Sequence, residues 1–197
     1  MNATRWCVAL GALLYGCGAP APVPEPEPLS CAPDRPADCA TLAGRVLDAP
    51  GASDAELAEV EPMLEIACDA GMTSSCAGLG AMYDHGWGVP QSDVDARDAY
   101  ERACEGGEAC VELGRMVLDG RGGTQDPVRA LALFAGACER GHAEACALEG
   151  LQLAVGGGVE NDPVRGEALL RAACEDGIAW ACDVDPASPP PPSIPEP

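Results

Sequence analysis

Ala137-Cys138-Glu139-Arg140-Gly141 decides the fold, because the chain writes the same phrase four times. Ala67-Cys68-Asp69-Ala70-Gly71, Ala103-Cys104-Glu105-Gly106-Gly107 and Ala173-Cys174-Glu175-Asp176-Gly177 repeat its pattern of Ala-Cys-acid-any-Gly. The first cysteines stand 36, 34 and 36 residues apart, and each is followed by a second: Cys76, Cys110, Cys146 and Cys182. A period of this length marks a stack of helical pairs, each too small to bury its own apolar face. The expected fold is all-α, an α/α solenoid.

Residues after each second cysteine read as the first helix of a pair. Cys76, Leu79, Gly80 and Tyr83 fall at helical spacing and stop at Gly86; Cys110, Leu113, Gly114 and Val117 stop at Gly120. Cys146, Glu149, Gly150 and Leu153 stop at Gly156, and a looser opening copy runs through Cys39, Leu42, Ala43 and Val46. A glycine inside a helix costs about 1 kcal/mol, so Gly80, Gly114 and Gly150 are expected to offset it by admitting a close neighbour. Twelve residues before the first cysteines stand Ser92, Asp126 and Asp162, good N-caps for the second helices, with Pro127 and Pro163 directly behind two of them. Gly107, Gly141 and Gly177 suit left-handed stops. In the opening copy Ser53 and Glu56 form a capping box, while Pro62 is expected to kink or split the helix.

The chain has 197 residues, 47% of them apolar but only 4% aromatic, so its interior is thin. Net charge is −21 and all eleven basic residues are arginine. Such acidity repels phosphate backbones and excludes nucleic acid as a partner.

Arg5 followed by the apolar run Trp6 to Leu14 has the layout of a secretory signal, too short to span a bilayer. Leu14-Tyr15-Gly16-Cys17 resembles the lipobox of bacterial lipoproteins, which implies lipidation of Cys17. Gly18 behind it resembles the sorting pattern for the outer membrane. Residues 19 to 30 alternate with proline, a semi-rigid spacer of roughly 40 Å. The expected organisation is a signal segment over 1–16, a lipidated tether over 17–30, a solenoid of about four helical pairs over 31–185, and a disordered proline-rich tail over 186–197. The membrane is then met through the lipid alone.

Of twelve cysteines, Cys7 leaves with the signal and Cys17 takes the lipid. Ten remain, in the local pairs Cys31–Cys39, Cys68–Cys76, Cys104–Cys110, Cys138–Cys146 and Cys174–Cys182. Even number, export signal and regular spacing point to disulfides rather than metal, since no Cys-x-x-Cys occurs and the only histidines are His85 and His142. Each bridge would join the end of a second helix to the head of the next first helix. Closing so short a loop contributes about 2–3 kcal/mol on the chain-entropy estimate. The shortened Cys104–Cys110 turn is the one expected to be strained.

Leu79-Gly80, Tyr83, Gly86-x-Gly88-Val89, Ala96, Tyr100 and Ala103 together resemble the Sel-1-like repeat, a relative of the tetratricopeptide repeat. The seven-residue gap between paired cysteines is similar to that of the cysteine-rich secreted subgroup. The resemblance covers residues 31 to 185 and implies a disulfide-clamped scaffold that adapts protein assemblies. For that subgroup it also implies weak binding or hydrolysis of β-lactams. Glu149 departs from the pattern, standing where leucine is expected.

No catalytic constellation accompanies the repeats. Without lysine there is no Ser-x-x-Lys, no Gly-x-Ser-x-Gly elbow or phosphate loop occurs, and the two histidines lie about 57 residues apart. The sequence thus reads as a binding protein for a protein, peptide or glycan in the cell envelope, without cofactor or metal. Arg45, Met82, Glu112, Arg115 and Gln152 lie off the apolar stripe of the first helices and are the expected contacts on the concave side.

Overall fold

The computed structural model describes residues 31–184. The expected signal segment, the Cys17 lipidation site, the tether and the tail lie outside the described residues. Among the described residues there are nine helices and no strand: α1 (Pro36–Leu47), α2 (Asp54–Asp69), α3 (Thr73–His85), α4 (Asp93–Glu105), α5 (Cys110–Asp119), α6 (Pro127–Glu139), α7 (Ala143–Val155), α8 (Pro163–Glu175) and the single turn α9 (Ala179–Cys182). The chain is an α/α solenoid in which each helix packs chiefly on its neighbours in sequence. The odd helices are the first of each pair and the even ones the second.

Local chemistry sets the boundaries. Side chains of Ser92, Asp126 and Asp162 accept hydrogen bonds from the backbone N–H groups of Asp95, Arg129 and Arg165, opening α4, α6 and α8. Ser53 and Glu56 close a reciprocal capping box at the head of α2. First helices end on left-handed Gly86, Gly120 and Gly156, with φ of 73°, 74° and 69°. The expected break at Pro62 does not occur, and α2 runs unbroken for 16 residues. Pro62 is exposed, while Val60, Met63 and Leu64 on either side are buried and hold both halves of the helix against the core.

The interior repeats one contact. The residue four before each first cysteine (Leu64, Tyr100, Phe134, Leu170) is at most 3% exposed. Tyr100 lies flat over Gly80 and Phe134 over Gly114, so close that a Cβ on the glycine would meet the ring at 2.5 Å and 2.4 Å. In the last pair the two backbones come closer still, a Cβ on Gly150 falling 2.8 Å from the carbonyl oxygen of Gly166. These glycines are the price of a core in which each of α4, α6 and α8 buries one large side chain.

All five expected disulfides form, with Cα–Cα distances of 4.6–5.2 Å. Arginine adds a second set of ties between pairs. Arg102 of α4 reaches Asp69 of α2 at 2.7 Å, Arg129 of α6 reaches Glu101 of α4 at 3.0 Å, and Arg121 joins Asp84 and Asp93 of the preceding pair.

Replacing Gly114 with alanine should destabilise the protein by about 1–3 kcal/mol, because Phe134 has to move out of a packed site. Gly44→Ala in α1, where an added Cβ meets nothing within 4 Å, should instead stabilise by about 1 kcal/mol. Thermal melts of both variants followed by circular dichroism check the opposite signs.

Candidate functional site: a groove along the bridged edge

Alternation of helix direction puts the turns within pairs at one edge of the solenoid and the bridged turns between pairs at the other. At the bridged edge a groove of about 400 Å³ runs across three successive turns. Ala109, His142 and Ile178 line it, each the residue that opens a first helix, at α5, α7 and α9. None of the three supplies a side-chain cap. Its floor is apolar, from Val111, Ala137 and Ala143, and its rim carries Glu108, Glu112 and Glu144. Arg115 fixes the position of Glu144 through an ion pair at 2.5 Å between α5 and α7. An apolar floor under a mostly anionic rim suits an extended segment that buries an aliphatic or cationic side chain.

A shallower pocket of about 270 Å³ lies at the opposite edge, at the α1–α2 turn, lined by Leu42, Arg45, Val46, Pro50 and Glu56 among others. The expected contact residues are therefore split between locations. Glu112 lines the groove and Arg115 braces it, whereas Arg45 lines the far pocket. Met82 and Gln152 need correction: Met82 is fully buried among Val60, Met63 and Leu64, and Gln152 is 8% exposed. Both stand six after the second cysteine of their pair, as do Arg45 and the buried Met116. That position faces the preceding pair, so it is solvent-exposed only in the first, which has none among the described residues. Comparing the copies position by position carries that signal, since the charged residue occurs only at the array's start. The groove residues Ala109, His142 and Ile178 lie outside the repeated phrase and differ from one turn to the next, so no shared residue type marks them as contacts.

Three other residues find structural places. His85 ends α3 and stacks on the half-exposed Trp87 with ring centroids 4.7 Å apart. Trp180 packs against the apolar cluster containing Phe134 and Leu148. Glu149 takes the core position of Leu79 and Leu113, is 3% exposed, and accepts a hydrogen bond from Arg165. Burial pushes its carboxyl above the ordinary glutamate range; the facing Arg165 guanidinium pulls it back down, and Glu139 adds to the rise.

The fold defines the class: a solenoid of helical pairs with a clip at every joint and a groove along the clipped edge. The Sel1 repeat profile matches residues 73–108, 107–142 and 144–178, more than half of the chain, and the chain belongs to the Sel1 repeat family. No curated protein sequence matches it significantly. Among solved structures it is similar to c5321, a protective antigen of uropathogenic Escherichia coli strains displaying an SLR fold. That likeness has 23% identity over 75% of this chain and a TM-score of 0.69. It is also similar to a Sel1 repeat protein from Oxalobacter formigenes, at 25% identity over 74% of the chain and a TM-score of 0.67. The chain spans 32% and 60% of those two proteins. Cysteine rich protein B of Helicobacter pylori aligns over 46% of this chain and 69% of its own, with 27% identity and a TM-score of 0.44.

A carboxyl whose pKa is raised by folding gives stability that is complete below its unfolded pKa and lost as pH rises through the folded one. Glu149→Gln should therefore gain in melting temperature relative to the native protein as pH goes from 4 to 7. Melts at several pH values read the difference, and a gap that stays constant or shrinks contradicts this account.

Proposed function

We infer that this Sel1-repeat scaffold works by protein–protein interaction, the typical role of such arrays, and that the groove between α5 and α7 seats the partner. The observation that carries the assignment is the groove itself. It is the larger of the two cavities described above, it crosses three joints, and its walls are held in place by the Cys138–Cys146 bridge and the Arg115–Glu144 pair. A seat built from rigid turns gives up little entropy when a partner binds.

The proposed setting is the cell envelope. The signal-like N-terminus, the lipobox-like Leu14-Tyr15-Gly16-Cys17 and the proline tether support export and anchoring through lipid on Cys17, with the outer membrane as destination. Five disulfides agree with an oxidising compartment. The spacer then holds the array clear of the bilayer, where an envelope protein or peptide can reach its edge.

Two experiments test the proposal. Photocrosslinkers placed at Glu112 and Ala143 should capture one partner in source-cell envelopes, and Glu112→Arg should reduce its capture at least fivefold or so by reversing the rim charge. Val164→Arg, on a residue 80% exposed and outside the groove, should leave capture unchanged. Equal capture by all three proteins would reject the groove as the seat. Separately, Cys17→Ser should move the protein from the membrane fraction to the soluble one, and unchanged fractionation would reject the anchor.

A further inference from the structure

Four of the five bridges place their second cysteine alike. Cys39, Cys76, Cys146 and Cys182 are each the fourth residue of α1, α3, α7 and α9, one full turn inside the helix. The fifth differs. Its turn is two residues shorter, so α5 begins on Cys110 itself. The shortening forces Ala109 to φ 50°, making it the only non-glycine among the described residues in the left-handed region. The residues opening α3, α7 and α9 hold φ between −81° and −77°.

Two features converge on the Cys110 sulfur. It lies at the first residue of a ten-residue helix, beside unpaired N–H groups and the positive end of the helix dipole. The guanidinium of Arg140, in the next bridged turn, sets its Nη2 3.1 Å from Sγ. Both stabilise negative charge on that sulfur and are known means of lowering a thiol pKa, acting against the Cys104 carbonyl oxygen 3.4 Å away and the carboxylates of Glu108 and Glu112 in the same groove. Arg140 has no carboxylate within ion-pairing distance among the described residues, unlike Arg102, Arg115, Arg121 and Arg129. Cys110 also lines the groove, and Cys104 is half-buried rather than closed off.

We propose that Cys104–Cys110 is a thiol-exchange site, with Cys110 as the activated leaving group, while the other four bridges are structural. A thiolate from a thiol or dithiol partner attacks Sγ of Cys104, forming a mixed disulfide as the Cys104–Cys110 bond breaks. The electron pair of that bond stays on Cys110 as a thiolate held by Arg140 and the head of α5. A second thiolate of the partner attacks the partner's sulfur in the mixed disulfide and displaces Cys104, which takes up a proton. Two electrons pass from two partner thiols to the bridge, leaving an oxidised partner and a reduced Cys104/Cys110 pair. Reversal reoxidises it. A leaving thiol of low pKa departs faster and favours the reduced state, which suits exchange and is ill suited to a permanent clip.

The test equilibrates the intact oxidised protein in glutathione buffers of rising reduced fraction. Samples are then quenched in acid, alkylated with N-ethylmaleimide and mapped by mass spectrometry. Cys104–Cys110 should open first of the five. Arg140→Gln should require about tenfold more reducing buffer to open that bridge, on the effect of losing a cationic neighbour, with the other four unchanged. Arg140→Lys should recover part of the difference. The terminal Cys174–Cys182, whose Cys182 is exposed, is the internal control for access. If it opens before Cys104–Cys110, or if Arg140→Gln opens the bridge at the native ratio, the proposal is overturned. Should Arg140→Gln not fold, the reduced native protein decides. Iodoacetamide labelling of Cys110 should then titrate well below the ordinary thiol value of about 8.5, and a midpoint at that value overturns the proposal.

Discussion

A helical pair whose inner face is rich in alanine and glycine buries too little surface to stand alone, and the disulfides, ion pairs and close glycine contacts of this protein answer that constraint. At each joint a disulfide crosses from the last turn of one second helix to the head of the next first helix. The bridge removes freedom from the unfolded chain at the joint between one pair and the next. Arginine ion pairs span the same joints from the outside. A planar guanidinium suits this role, being always charged and able to reach several acceptors at once. Arg97 illustrates it, touching Glu101 and the backbone carbonyls of Arg121 and Thr124.

The same economy shapes the interior. One large residue per second helix is accommodated by one glycine in the first helix, so Tyr100 and Phe134 lie where a Cβ would otherwise stand. The last pair takes the alternative route, Gly150 against Gly166, and brings two backbones into contact. There the core also admits Glu149, whose partner Arg165 is mostly exposed. A buried carboxylate shared with a half-hydrated guanidinium adds little stability at neutral pH.

Clips along one edge make that edge the rigid one, and the groove forms there rather than on the face lined by the bodies of the first helices. Shortening one turn by two residues alters this edge in two ways. It draws Ala109 into the left-handed region, shaping the groove wall, and it moves Cys110 from the body of a helix to its head. A change that looks like drift in a repeat thereby alters the chemistry of one sulfur.

Apart from the break expected at Pro62, the repeat, the helix limits, the caps and all five cysteine pairings were legible in the sequence, because each rests on local spacing and on residues with a single conformational use. Gly86, Gly120 and Gly156 end helices for the same reason wherever they occur. What only the tertiary structure decided was exposure. Met82 and Arg45 hold the same place in the repeat, yet one is sealed in the core and the other lines an open pocket. The difference lies in whether a preceding pair is there to cover them. Likewise the groove and the Arg140–Cys110 contact join residues about 30 apart from separate turns, and Arg140 stands at the one variable position of the repeated phrase. Periodicity reports what a helix does to itself, whereas packing depends on what the chain lays against it.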